Sequence, residues 1–257
     1  MTAINEEVVH VKGFPKKLII FLHGYIDNCE SLNNRIVPFL NDMQDVAIHL
    51  PEAPLDCEIY EHKRQWFSMH RFDPDDARKF VPTLEECTAI YARMSRGYDE
   101  SYHYLVDYIE TCLNEYQLEA KDLFLCGFSQ GAMLAIYTAL RYPEKIGGCV
   151  SFSGILATPA YFEKNKNQTP PFLLIHGNND NLVRYGVMEY SQKHLQQLGC
   201  NVETYTVENG QHRITEDGMI EAEKFIKEMC ALQEELVKKA GKEKLPLNPL
   251  NVTLEKD

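Results

Sequence analysis

The sequence has little basic charge, no long apolar run and no paired cysteines, and each of these absences excludes a class of protein. Its 257 residues carry 38 acidic and 26 basic side chains, a formal net charge of −12. Binding to nucleic acid or to an anionic membrane depends on clustered lysine and arginine, so neither partner is expected. No apolar stretch approaches the length that spans a bilayer, so no integral membrane contact is expected.

The amino terminus and the cysteines bear on cellular location. Residues 1–7 are polar and acidic, without the basic and apolar regions of a signal peptide. The eight cysteines are spaced singly, which predicts reduced and mostly buried thiols rather than a disulfide framework or a zinc site. We therefore expect a cytoplasmic protein with no bound metal.

Short apolar runs alternate with helical patterns along the chain, an order typical of α/β proteins. The strand-like runs lie at 8–11, 18–22, 46–50, 123–126, 149–152, 172–175 and 202–207, and the helical patterns at 31–40, 83–94, 98–116, 132–140, 187–198 and 219–239. This order predicts a mostly parallel central sheet with helices on both faces. Residues 1–240 are expected to form one domain, followed by a polar tail at 241–257. Residues 51–82 are expected to form a long loop.

The segment Gly127-Phe128-Ser129-Gln130-Gly131 resembles the nucleophile elbow of α/β-hydrolases. A strand-like run precedes it and a helical pattern follows, which is the context that an elbow requires. Gly127 and Gly131 leave room for a sharp turn that projects the Ser129 hydroxyl from the sheet. The alternative is a glycine-bracketed serine in an ordinary strand-to-helix turn.

Two partners for Ser129 follow later strands, in the order that this kind of hydrolase requires. Asp180 comes directly after the run at 172–175, and His212 comes after the run at 202–207. Because parallel strands end at one edge of a sheet, these side chains are expected to converge there. We predict that His212 is the general base and that Asp180 orients it. The alternatives are an aspartate in a loop turn and an exposed loop histidine.

A tetrahedral intermediate in such a site needs two hydrogen-bond donors for its oxyanion. One is predicted to be the backbone N–H of Gln130, at the start of the helix after the elbow. The second is predicted to be the N–H of Tyr25, in the loop after an early strand. Gly24 allows close approach of that backbone, and the ring of His23 is expected to brace the loop.

Several motifs together resemble the phospholipase/carboxylesterase family, which includes the acyl-protein thioesterases and small bacterial carboxylesterases. They cover roughly residues 17–230 and comprise Leu22-His23-Gly24-Tyr25, Gly-Phe-Ser-Gln-Gly at 127–131, Phe152-Ser153-Gly154, His176-Gly177-x-x-Asp180-x-x-Val183 and Gly210-x-His212-x-Ile214. Arg64-Gln65-Trp66-Phe67-Ser68 also resembles a segment of the bacterial esterases. One departure is Tyr25-Ile26, where many members carry Leu-Gly, and it is expected to change the acyl pocket.

The resemblance implies an α/β-hydrolase fold and a cytosolic, cofactor-free serine hydrolase. It would cleave carboxylic esters or thioesters of small or lipid-like acyl substrates through an acyl-enzyme. A carboxylesterase is the first expectation, with an acyl-protein thioesterase or lysophospholipase as the alternative and a catalytically silent scaffold as a further one. A peptidase would need a gating domain for which the chain has no room. The long final helix is a candidate homodimer face, although packing on the sheet explains its apolar stripe equally well.

Residues 66–82 interleave aromatic and charged side chains and form a candidate flap over the acyl pocket. The candidate lining residues are Trp66, Phe67, Met69, Phe72 and Phe80. The alternative is a surface loop whose aromatic side chains only anchor it to the core. Asp73-Pro74-Asp75-Asp76 lacks the glycine and the distant glutamate of a calcium loop, so a solvated turn is expected.

Overall fold

A seven-stranded, mostly parallel sheet forms the centre of the computed structural model, which describes residues 7–39, 43–69 and 83–242. Its strands are β1 (Glu7–Lys12), β2 (Lys17–Leu22), β3 (Val46–Pro51), β6 (Leu123–Phe128), β7 (Gly148–Phe152), β8 (Phe172–Gly177) and β9 (Val202–Val207). The order across the sheet is β1-β3-β2-β6-β7-β8-β9. Only the pair of β1 and β3 is antiparallel in this sheet, within the described residues.

The burial of the strands follows their composition. Every residue of β3, β6, β7 and β8 is buried, as expected for continuous apolar runs covered on both faces. The edge strands β1 and β9 are partly exposed along their length. Because the interior strands are covered on both faces, the polar groups of the site can only gather at the strand ends.

Helices cover both faces of the sheet, as the sequence predicts. They are α1 (Cys29–Ile36), α2 (Leu84–Met94), α3 (Tyr98–Tyr116), α4 (Gln130–Arg141), α5 (Pro159–Asn165), α6 (Gly186–Gln197) and α7 (Glu216–Lys242). One core cluster joins the sheet to α3, α4 and α6 through Leu105, Leu134 and Val187. The other joins it to α1 and α7 through Leu32 and Phe225. No helix in the described part of the chain is long and apolar enough to cross a membrane.

Three local features differ from the sequence predictions. The loop expected at 51–82 contains a short hairpin of β4 (Leu55–Asp56) and β5 (Arg64–Gln65). The seven-residue α5 is new, and it buries only Phe162, so its sequence shows no apolar period. The last helix continues to Lys242, two residues into the predicted tail, and residues 243–257 lie outside the described residues.

Candidate active site

Ser129 occupies a strained turn between β6 and α4. Its φ is 52° and its ψ is −115°, a conformation that a residue with a side chain rarely adopts. A Cβ on Gly127 would collide with the backbone at Gly131 and Ala132, and one on Gly131 would overlap the carbonyl oxygens of Leu22 and His23. The predicted strand, turn and helix are therefore present, and both glycines are needed for close backbone contact.

Asp180 and His212 are in direct contact at the ends of β8 and β9. The Nδ1 atom of His212 lies 2.6 Å from Oδ2 of Asp180. The other carboxylate oxygen, Oδ1, accepts hydrogen bonds from the backbone N–H groups of Leu182 and Val183, each at 2.9 Å. Both oxygens are therefore engaged, and the carboxylate holds the imidazole through Nδ1. This arrangement leaves Nε2 as the nitrogen that can exchange a proton with a nucleophile.

The His212 ring lies against the elbow. Its centroid is 4.8 Å from that of Phe128, the residue before Ser129. The Ser129 backbone is itself anchored, since its N–H donates to the Phe152 carbonyl at 2.8 Å. Ser129 is partly exposed while its neighbours Phe128 and Gln130 are buried. The structure therefore brings the histidine and aspartate together next to the turn that carries the serine.

A second histidine also contacts Asp180, and the sequence reasoning gave it no role. Nε2 of His176 lies 3.3 Å from Oδ2 of Asp180 and 2.8 Å from the Val183 carbonyl oxygen. Burial acts to raise the pKa of Asp180, but hydrogen bonds from His176 and His212 outweigh it and hold that pKa well below its usual value. The sequence feature that could have indicated this contact is the position of His176 four residues before Asp180, at the end of a buried strand.

The loop that carries Tyr25 lies against the elbow. A Cβ on Gly24 would stand 3.1 Å from the Phe128 ring and 3.6 Å from the Cβ of Ser129, so the loop packs directly on the elbow. Ile26 has a φ of 59°, which is strained for a β-branched residue. The next residue, Asp27, is buried and forms an ion pair with Arg35. This ion pair helps to hold the strained loop in place.

His23 is fully buried and contacts the end of β3. Its Nδ1 lies 2.8 Å from the Gly24 carbonyl oxygen, and its Nε2 lies 3.1 Å from the N–H nitrogen of Ala53. Nε2 also lies 2.9 Å from Oε1 of the buried Glu52. Burial acts to raise the pKa of Glu52, but hydrogen bonds from His23 and Cys29 bring it below its usual value. These contacts tie the Tyr25 loop to β3.

The segment predicted as a flap is part of the core where the structure describes it. Trp66 and Phe67 have no exposed surface and Met69 is 6% exposed. They pack in the cluster between the sheet and α3, and the Ser101 hydroxyl donates to the Trp66 carbonyl. This burial fits the anchoring alternative for these three side chains, and their part in an acyl pocket stays a prediction. Phe72 and Phe80 lie outside the described residues.

A cavity of about 400 Å³ opens beside the loop that carries the aspartate. Its lining consists of Leu84, Asn178, Asp180, Asn181, Arg184, Tyr185 and Gly186. None of the predicted acyl-pocket side chains contributes to this lining. Among the residues that the structure describes, no group of three or more His, Cys, Asp or Glu side chains could hold a metal ion.

Comparison with known proteins identifies relatives along most of the chain. A family model described as Phospholipase/Carboxylesterase matches residues 4–230. Acyl-protein thioesterase 1 of Candida albicans is 25% identical over 225 residues, covering 82% of this chain and 91% of that protein. Acyl-protein thioesterase 1 homolog 1 of Dictyostelium discoideum is 35% identical over 130 residues, and this match covers 50% of this chain and 58% of that protein. The crystal structure of esterase PE8 superposes with a TM-score of 0.74 at 27% identity, covering 86% of this chain and 97% of that one.

Proposed function

This chain belongs to the phospholipase/carboxylesterase family, and we propose that it is a serine hydrolase that cleaves carboxylic esters or thioesters with Ser129, His212 and Asp180. The observation that carries the assignment of residues is the 2.6 Å contact between His212 and Asp180 beside the strained Ser129 turn. The three residues follow three different strands of one sheet, in the chain order that this chemistry uses.

The first step forms an acyl-enzyme. A neutral serine hydroxyl is a poor nucleophile, so Nε2 of His212 removes its proton while Oγ attacks the carbonyl carbon of the substrate. His212 then donates this proton to the leaving alcohol or thiol. In the second step His212 activates a water molecule, which attacks the acyl carbon and releases Ser129 and the carboxylic acid.

Asp180 acts through His212. Its contact with Nδ1 fixes the tautomer in which Nε2 accepts a proton, and its charge stabilises the imidazolium that forms. Because the pKa of Asp180 lies well below its usual value, the carboxylate stays ionised throughout the neutral range. His176 contacts the same carboxylate oxygen.

The developing oxyanion is stabilised by two backbone N–H groups in this proposal. Gln130 is the first residue of α4, where the helix dipole favours negative charge. The contact of Gly24 with the elbow supports Tyr25 as the second donor. Such donors act in the transition state, where removal of one typically costs about 10²- to 10³-fold in kcat.

A carboxylesterase is the first candidate, because the chain aligns along most of its length with esterase PE8. An acyl-protein thioesterase is the second, because the relative from Candida albicans carries that name and covers 82% of this chain. Both use the same acyl-enzyme, and they differ in the leaving group and in the acyl chain.

Covalent labelling tests the nucleophile, and a substrate series tests the class. A fluorophosphonate probe should label the folded protein at Ser129, read out by peptide mass spectrometry, and should not label Ser129→Ala. p-Nitrophenyl esters of increasing acyl length, assayed beside matched acyl thioesters, should then separate the two candidates by kcat/KM. Folded protein that is neither labelled nor active on any member of the series would contradict the proposal.

A further inference from the structure

Gln130 is joined through its side chain to the segment at 66–67. Its Oε1 accepts a hydrogen bond from the Trp66 backbone N–H at 2.8 Å, and its Nε2 donates to the Phe67 carbonyl at 2.8 Å. The Gln130 side chain is 1% exposed, so the pairing is closed to water. One candidate oxyanion donor thus belongs to a residue whose side chain fixes the backbone at Trp66.

Trp66 is in turn joined to the loop of the other donor. Its indole N–H donates to the His23 carbonyl at 2.9 Å, two residues before Tyr25. The indole and imidazole centroids are 5.3 Å apart. The same carbonyl oxygen abuts Gly131, in the first turn of α4. Trp66 therefore contacts the backbone of the loop before Tyr25 through its indole and the side chain of Gln130 through its own backbone N–H, and it lies far from both along the chain.

We propose that Trp66 is a positioning residue that sets the spacing between the two oxyanion-hole N–H groups, of Tyr25 and Gln130. This inference rests on the proposed function, because it assigns no separate activity. Trp66 touches no reacting atom. It holds the Tyr25 loop and the elbow at a fixed separation. The Ser101 hydroxyl and the packing against α3 hold Trp66 itself in place.

A positioning role of this kind predicts a specific change in the kinetic constants. The oxyanion exists only in the transition state, so misplaced donors lower kcat and leave ground-state binding nearly unchanged. A purely structural role would instead lower the melting temperature and the fraction of folded protein. The two roles are separable when rates are expressed per folded molecule.

The composition of the chain allows the indole hydrogen bond to be removed alone. Trp66 is its one tryptophan, so biosynthetic replacement of tryptophan by benzothienylalanine changes that single position. Sulfur then replaces the N–H and the ring volume is nearly kept, so the His23 carbonyl loses its donor. We expect kcat to fall about 10- to 100-fold, less than the loss of a whole donor, with KM within about threefold. Affinity for a trifluoromethyl ketone, which forms a tetrahedral adduct on the serine, should fall by a similar factor.

Three further proteins complete the experiment. Gln130→Met removes the other half of the link and should give the same kinetic pattern. Phe162→Leu loosens a core site in α5 and should lower the melting temperature without the loss in kcat. Ser129→Ala gives the background rate. Wild-type kcat and inhibitor affinity in the folded analogue protein, a loss confined to KM, or an equal loss in Phe162→Leu would each overturn the assignment of Trp66. A wild type no more active than Ser129→Ala would overturn the proposed function itself, and this inference with it.

Discussion

Two serines occupy matching turns on neighbouring strands, and only one of them is a candidate nucleophile. Ser129 follows Phe128 at the end of β6, and Ser153 follows Phe152 at the end of β7. Both have a φ of 52°. Each donates its backbone N–H to the next strand across, Ser129 to Phe152 at 2.8 Å and Ser153 to Ile175 at 2.9 Å.

The surroundings of the two serines differ. Ser129 is partly exposed, opens α4 and has the His212 ring against the preceding residue. Ser153 is 2% exposed and leads into chain without regular secondary structure before α5. A strained serine at the end of a strand is therefore a feature of this sheet, and reactivity is expected only where access, a helix N-terminus and a base are added.

The largest expected effect separates the two hydroxyls. Ser129→Ala should lower kcat by about 10⁶-fold, because loss of the nucleophile removes the acyl-enzyme route. Ser153→Ala keeps the turn and should change kcat by less than about tenfold, since its hydroxyl has no role in the proposal. The measurement is the rate of hydrolysis of a p-nitrophenyl ester per folded molecule in the two variants. Equal losses of kcat in the two variants would contradict the assignment of Ser129 as the nucleophile.

The next effect concerns Asp180, the carboxylate that orients the proposed base of Ser129. Asp180→Asn should lower kcat by about 10⁴-fold, as in other triads, because the amide favours the wrong tautomer of His212. A loss below tenfold would point to a different acid.

The dependence of stability on pH supplies a control for this variant. The folded pKa of Asp180 lies below that of an unfolded aspartate, about 3.9. Its contribution to the free energy of unfolding is therefore fully present above pH 4 to 5 and is lost as the pH falls further. The difference in unfolding free energy between wild type and Asp180→Asn should be constant near neutrality and should shrink in acid.

A glycine pair tests the backbone around each turn. Gly131→Ala would place a methyl group on the carbonyls of Leu22 and His23, push the Tyr25 loop away and lower kcat by about 10²- to 10³-fold. Gly154→Ala would crowd the Ser151 hydroxyl and the Ala132 methyl, and should lower the melting temperature while kcat per folded molecule stays within a few fold. Similar kcat values in the two variants would show that the oxyanion loop tolerates displacement.

The smallest expected effect is on stability. Glycine adopts a positive φ without strain, so Ser153→Gly should stabilise the fold by about 1 kcal/mol after the entropic cost of glycine, and raise the melting temperature by roughly 2–4 °C. Activity should be unchanged. Ser129→Gly should relieve similar strain and abolish turnover, and differential scanning calorimetry with ester assays would compare the pair. A lower melting temperature for Ser153→Gly would show that its side chain contributes more than its strain costs.

The sequence predicted the sheet and the three strand-end residues because both depend on local signals. Buried strands are visible in the sequence as apolar runs, and all seven strands of the main sheet were predicted within about two residues of their observed bounds. Asp180 and His212 follow their strands directly, and strand ends meet at one edge of the sheet.

The environment of Trp66 could not be predicted in the same way. Its neighbours alternate between aromatic and charged, which suits a surface loop as well as an anchor. The bonds that bury it come from Gln130 and His23, both distant in sequence, and periodicity carries no information about such partners. The contact between His176 and Asp180 was not predicted for a related reason. These two residues lie on either side of a turn whose shape the sequence does not define.

The order of the strands also bears on when the proposed site can be completed during synthesis. From β2 outward the neighbours are β6, β7, β8 and β9, so each later segment adds to the same side of the growing sheet. Translation delivers the amino end first, and thus Ser129 emerges from the ribosome well before His212. In the proposed mechanism the hydroxyl lacks its proton acceptor until the last strand arrives, so we expect an incomplete polypeptide not to form an acyl-enzyme.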